Sequence, residues 1–212
     1  MKMKRAIVIT NTSAFAAMAL LLTFANAELP YPLLPYLKFD LAEIPIVTLL
    51  FLMGPLPSLV AEAIHWVALS VARGWVLGPL MKFLAVTPMI LGYWIGIEVL
   101  KRFFRQRKLP TIFTFGSIMG AVARIVATTV LNIIVLLVIA PEFLKFAGAV
   151  LKVVGVAATS TQEVLIWTLL LTGVFNALHV FLSAIVALSI VRGAAFKIPW
   201  VIENAWIFGH RK

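Results

Sequence analysis

The sequence predicts an all-α integral membrane protein, a six-transmembrane-helix bundle with both termini in the cytoplasm. Three observations lead there. The 212-residue chain is 63% hydrophobic and 12% charged, whereas soluble domains are about 45–50% apolar and about 25% charged. The apolar residues run continuously instead of alternating, so helices, not barrel strands, satisfy the backbone in lipid. The basic residues fall in three clusters: Lys2, Lys4 and Arg5 before the first apolar stretch, Lys101, Arg102, Arg105, Arg107 and Lys108 after the fourth, and Arg192, Lys197, Arg211 and Lys212 after the sixth. Six crossings put all three on one side, which is the positive-inside pattern.

The opposite side keeps Lys38, Arg73, Lys145 and Lys152, diluted by Glu28, Asp40, Glu142 and Glu163. The net charge of +10 therefore suits anionic lipid headgroups of a cell membrane and not nucleic acid. The absence of cysteine excludes disulfides, thiolate metal ligands and thiol catalysis.

The expected spans are 6–27, 40–54, 56–73, 77–100, 112–139 and 164–191. Lys2 to Arg5, an apolar core and Ala25-Asn26-Ala27 imitate a secretory signal, but the apolar run is long for a signal core. Residues 28–38 carry Pro30, Pro32 and Pro35 with Tyr31 and Tyr36, so this stretch reads as extended. A polar island, Leu37 to Pro45, then interrupts the apolar pattern. Asp40 followed by Glu43 resembles a capping box opening the second helix, and Pro45 limits the regularity of its first turn. Gly54-Pro55-Leu56-Pro57 is an uncharged turn into the third span. Residues 140–163 form the longest non-spanning segment, expected to be external and partly helical. Without internal repeats or linkers, residues 1–212 read as a single membrane domain.

Polar groups inside a bilayer are costly and face a bundle interior or a cavity. On the fifth span Arg124, Thr128 and Asn132 recur every four residues, and Gly116 and Gly120 continue that face. Thr172, Asn176, His179 and Ser183 do the same on the sixth, and Ser58, Glu62 and His65 on the third; Lys82 sits inside the fourth. Thr128, Thr172 and Ser183 read as hydrogen-bonding glue between helices. Arg124 is open to pairing with Glu62. Asn132 and Asn176 each carry an amide with donors and acceptor lone pairs, and two converging amides can read the edge of a heterocycle.

Tyr36-Leu37-Lys38-Phe39-Asp40 with Glu43-Ile44-Pro45 and then Gly54-Pro55 resembles the second helix of riboflavin-type substrate-binding (S) components of energy-coupling factor (ECF) transporters. Gly78-Pro79-Leu80-Met81-Lys82-Phe83-Leu84 resembles that family's fourth helix. Arg124, Thr129 and Leu131-Asn132 resemble its fifth, and Phe175-Asn176 with His179 its sixth. The resemblance implies a protein that captures riboflavin from outside and delivers it with a T component and two ATP-binding subunits. It implies no catalysis and no cofactor, with riboflavin as transported ligand. It also implies a substrate site built from Leu37, Lys38, Phe39, Asp40, Glu43, Lys82, Asn132, Asn176 and His179. The small residues Thr12, Ser13, Ala16 and Ala17 of the first span give a face another helix can approach closely, and the family docks its T component on such a face. The chain departs from the family at His179, where Lys is common, at Lys82, where Asn is expected, and at Glu43, which replaces a commoner Asp.

Other readings stay open. One is an S component for a different vitamin or heterocycle. Another is a membrane-embedded enzyme using His65 with Glu62, or His179, although no metalloprotease or hydrolase motif and no acidic metal cluster accompany them. The chain has no phosphate-binding loop, so energy comes from elsewhere. A self-sufficient secondary transporter usually shows repeated halves, and none are found.

Overall fold

A computed structural model describes residues 5–104 and 108–208. Of the basic clusters, Lys2, Lys4, Arg105, Arg107, Arg211 and Lys212 lie outside the described residues. The elements in order are α1 (Arg5–Phe24), β1 (Glu28–Tyr31), β2 (Leu34–Asp40), α2 (Glu43–Met53), α3 (Pro55–Arg73), α4 (Leu77–Arg102), α5 (Leu109–Ile134), α6 (Glu142–Val153), α7 (Thr161–Lys197) and α8 (Pro199–Asn204). A π-helical turn, Val135–Ile139, extends α5, and a 3-10 turn, Trp206–Phe208, follows α8. Five helices are long and apolar enough to cross a membrane: α1, α3, α4, α5 with its π turn, and α7. The chain is a multi-pass membrane protein.

The second expected span needs correction. Residues 34–40 are strand, so the helix starts only at Glu43 and has 11 residues, about 16 Å of rise. The first span ends at Phe24, short of residue 27, and the last runs from 161 to 197, beyond 164–191. The capping box expected at Asp40 and Glu43 does not form. Ala42 occupies the N-cap of α2 without a side-chain cap; Asp40 Oδ1 accepts the Ala42 N–H at 2.8 Å, while Glu43 turns into the bundle. A complete capping box instead opens α7, where Ser160 accepts from the Glu163 N–H and Glu163 from the Ser160 N–H.

The Pro-rich approach to α2 folds as an antiparallel hairpin with a bulge between Pro30 and Tyr31. Prolines suit this two-stranded ribbon, where a missing N–H can face outward. Lys38 pairs with Glu28 across the strands. Aromatic rings fasten the hairpin to the bundle: Phe39 lies 4.9 Å from Phe175 of α7, and Tyr36 lies 5.7 Å from Phe146 of α6.

α4 and α5 form the tightest helix pair because glycines face across it. A Cβ on Gly92 would sit 2.5 Å from the Met119 carbonyl oxygen and 2.9 Å from the Gly120 Cα. Tyr93 lies over Gly116 and Gly120 and donates its hydroxyl to Ser117 Oγ at 2.8 Å. At the end of the bundle away from the hairpin, Trp206 packs on Gly54, whose φ of 89° makes the sharp turn between α2 and α3. Lys101 donates to the Trp206 carbonyl at 3.1 Å and lies over the indole ring.

The expected docking face of α1 divides in two. Thr12 and Ala16 are buried against the bundle, so they are unavailable to a partner; Ser13 and Ala17 are exposed. The position of Gly92 gives a direct test of the helix contact. Gly92→Ala should push α4 from α5 and lower stability by about 1–3 kcal/mol, read as a fall in the thermal unfolding midpoint of the detergent-solubilised protein.

Candidate functional site

A cavity of about 670 Å³ lies against the hairpin. The hairpin contributes Tyr36, Leu37, Lys38 and Asp40, and α2 contributes Glu43 at its first residue. α4 adds Met81 and Lys82, α5 adds Arg124, Thr128 and Asn132, and α7 adds Thr172, Phe175, Asn176 and His179. A second chamber of about 450 Å³ adjoins it and shares Tyr36, Leu37, Gly78, Met81, Asn132 and Thr172. Its other walls are largely apolar, with Trp75, Leu77, Val135, Leu136, Phe143 and Phe146.

The polar wall is organised by one buried cation. Arg124 projects from the inward face of α5 that Gly116, Gly120 and Thr128 share, and it is only 3% exposed. Its guanidinium grips Glu43 with two bonds, of 2.6 and 3.0 Å. Planar, bidentate pairing is the strongest geometry an arginine offers a carboxylate. Its Nε donates to Asn176 Oδ1 at 2.7 Å, and Nη2 lies 3.3 Å from His179 Nδ1. Arg124 can only donate, so Nδ1 accepts. The His179 proton then sits on Nε2, which is 3.3 Å from the Asp40 carbonyl oxygen and donates to it.

Arg124 therefore does not pair with Glu62, as the sequence had left open; its acid is Glu43. Glu43 starts a helix whose N-terminal dipole also favours a negative charge. Lys82 forms an ion pair with Asp40, tying α4 to the end of the hairpin. The result is a neutralised network in which β2, α2, α4, α5 and α7 all take part.

Leu37, Lys38, Asp40, Glu43, Lys82, Asn132, Asn176 and His179 all border this one cavity. Phe39 lies behind it, its ring packed on Phe175 and edge-on to His179. The two asparagines are not alike. The Asn176 amide is engaged within the protein: it accepts from Arg124 and donates to Thr128 Oγ1 and the Thr172 carbonyl, each at 3.0 Å. Asn132 makes no side-chain hydrogen bond among the described residues, and it stands where the two chambers meet. Of the two amides expected to converge on a ring edge, Asn176 is committed to partners within the protein. The sequence reading missed Arg73, Met81 and Phe175 as cavity walls; the exposed Arg73 ends α3 beside the hairpin, and nothing in its local pattern signals that position.

The architecture is that of a known class. The solved S component of a bacterial ECF transporter superposes with a TM-score of 0.66, covering 92% of this chain and 99% of that one at 21% identity, so the two share a fold. In sequence, the chain is similar to the riboflavin transporter FmnP of Bacillus subtilis (strain 168), with 33% identity over 96 residues. That match spans 43% of this chain and about half of the relative, 48% of its length. No family model matches the chain.

The Arg124–Glu43 pair makes a sharp prediction. Arg124→Met alone strands a buried carboxylate and should lower stability by about 3–5 kcal/mol, whereas Arg124→Met with Glu43→Leu should recover most of that loss. Thermal unfolding of the three proteins in one detergent measures it.

Proposed function

We propose that this protein is the substrate-binding S component of an ECF-type vitamin transporter that captures riboflavin from outside the cell. In this reading it has six crossings, with α2 as the short one, and both termini are cytoplasmic. Its role is transport and not catalysis, and a T component with two ATP-binding subunits supplies the work. A partner helix approaching α1 would meet Ser13 and Ala17.

The observation that carries the reading is the two-chambered cavity against the hairpin, within a fold shared with a solved S component. Small-molecule sites of about 300–1,000 Å³ are mostly apolar with a few placed polar groups. An isoalloxazine ring offers a broad aromatic face for the apolar chamber, and its polar edge and ribityl hydroxyls suit the charged one. The similarity to FmnP supports the flavin. Asn132, at the junction and with its amide open, is the side chain best situated to address the ring edge. Leu37, Lys38, Asp40, Lys82 and His179 would surround the ligand, and Glu43, Asn176 and Phe39 would hold that wall in place.

A different flat heterocycle is the second reading. The engagement of Asn176 by Arg124, Thr128 and Thr172 favours it, because only one amide is left to read a ring edge.

Purified protein should quench riboflavin fluorescence strongly, because the ring leaves water for a tight site. Asn132→Ala should weaken binding by about tenfold to a hundredfold, the loss of one buried hydrogen-bond partner at about 1–3 kcal/mol, with little change in thermal midpoint. Asn176→Ala should lower affinity and stability together, because it also strips a partner from Arg124. Protein that leaves riboflavin fluorescence unchanged, or an Asn132→Ala variant that binds like the parent, would overturn the assignment.

A further inference from the structure

A second buried polar cluster lies outside the cavity, on α3. The inward stripe of α3 includes Ser58, Glu62, His65 and Leu69. Ser58 is satisfied by the Ile46 carbonyl at 2.9 Å. Glu62 and His65, each 1% exposed, are different. His65 Nε2 lies 2.9 Å from the hydroxyl of Thr23 on α1. His65 Nδ1 faces Glu62 Oε2 at 3.6 Å, beyond hydrogen-bond length. Neither Glu62 oxygen nor His65 Nδ1 has a hydrogen-bond partner among the described residues. Trp66 stacks on Phe83 of the antiparallel α4, so Thr87, one turn further along α4, comes level with Glu62. Its hydroxyl also lacks a partner.

The charges around this cluster do not neutralise it. α4 contributes Lys82, which is committed to Asp40, and α2 contributes Glu43, which is committed to Arg124. From α1 only the neutral Thr23 reaches it. An isolated buried carboxylate is strongly disfavoured. The two facing groups become neutral as a unit when they hold one proton beyond the one every imidazole carries. A carboxylic acid facing imidazole and a carboxylate facing imidazolium satisfy this equally.

We propose that Glu62 and His65 form a buried proton-binding site that fastens the end of α1, and with it the root of the hairpin, to α3. Thr23 lies in the last turn of α1, and its carbonyl accepts from the Asn26 N–H at 3.0 Å. Asn26, with φ of 50°, turns the chain into β1 at Glu28. The loaded pair orients His65 toward Thr23, so the hairpin that walls the cavity is anchored at its base by the proton. Loss of the proton leaves an uncompensated charge between α1 and α3 and loosens that anchor.

The sign follows from linkage. The unfolded pair gives up this proton in the imidazole range, whereas the folded pair keeps it to higher pH, so the contribution is present between the carboxylate range and neutrality and is lost as pH rises further. The test compares the parent with Glu62→Gln, which keeps the shape and removes the carboxylate, in detergent and without ligand. Toward alkaline pH the unfolding equilibrium constant of the parent should rise more steeply than that of the variant, by about tenfold per pH unit for one proton. Amide exchange in residues 28–40, corrected for its intrinsic pH dependence, should accelerate with pH in the parent and not in Glu62→Gln. Should that variant fail to fold, Glu62→Leu carries the same expectation. Parallel pH profiles in parent and variant would overturn the proposal, as would hairpin exchange indifferent to the substitution. Neither readout depends on which ligand the cavity takes, so this inference and the flavin assignment fail independently.

Discussion

The structure depends on how a single arginine is kept inside a membrane bundle. A guanidinium cannot shed its charge, so Arg124 must be paired wherever it is buried. Its fork takes Glu43 with two bonds, Asn176 with a third, and reaches His179 with a fourth. These demands fix two elements: the start of α2 and two successive turns of α7. His179 carries the constraint on to the backbone of Asp40, and Lys82 meets the side chain of that same residue. The polar wall of the cavity is therefore a consequence of satisfying one cation. Buried ion pairs seldom add stability over apolar packing. What this one contributes is register, setting the depth of α2 against α5 and α7.

Much of this was legible in the chain. Helical spacing put Arg124, Thr128 and Asn132 on one face, and the structure buries the first two and half-buries the third. Thr172, Asn176, His179 and Ser183 form a continuous buried stripe on α7. The prolines marked residues 28–38 as extended, and the hairpin fills that stretch. What periodicity cannot provide is the register between helices. Glu43 and Glu62 are both plausible partners for Arg124, and only the relative depth of α2 and α3 decides between them. The same limit applied to α1, where Thr12 and Ser13 are both small yet the first is buried and the second exposed. The capping signal at Asp40 and Glu43 was displaced by a stronger local demand, since Glu43 satisfies Arg124 and Asp40 satisfies Lys82. The true capping box, Ser160 to Glu163, carries the standard spacing and could have been read from sequence.

The two ends of the bundle are built for different purposes. At one end, Trp206 seals the turn at Gly54, Lys101 ties the C-terminal segment down, and Ile207 is fully buried. At the other, the covering elements are a two-stranded ribbon and the 12-residue α6, joined to α7 by a small apolar cluster around Tyr31, Leu34, Leu151 and Phe175. Short elements resting on a small core are the features of regions that open at low free energy. An asymmetry of this kind makes the hairpin end the easier one to open.

The cavity itself follows from the length of α2. Its 11 residues rise about 16 Å, against about 39 Å for the 26-residue α4. A helix that short leaves nearly half of the roughly 30 Å apolar thickness of a bilayer unfilled along its own axis. Backbone that is not helical is tolerated at that depth only inside protein or beside a cavity. Both conditions hold, since α2 is buried along nearly its whole length and the hairpin enters where the helix would have continued. The space beyond its first turn is bounded by Glu43, Lys82, Asn132, His179 and residues of β2. Lengthening α2 by the two turns that would let it span as a regular helix would fill this space with backbone and displace Asp40 from Lys82 and His179. The short helix, the hairpin and the polar wall are therefore one solution: a membrane bundle makes room for a cavity by stopping a helix early and satisfying the exposed turn with charge.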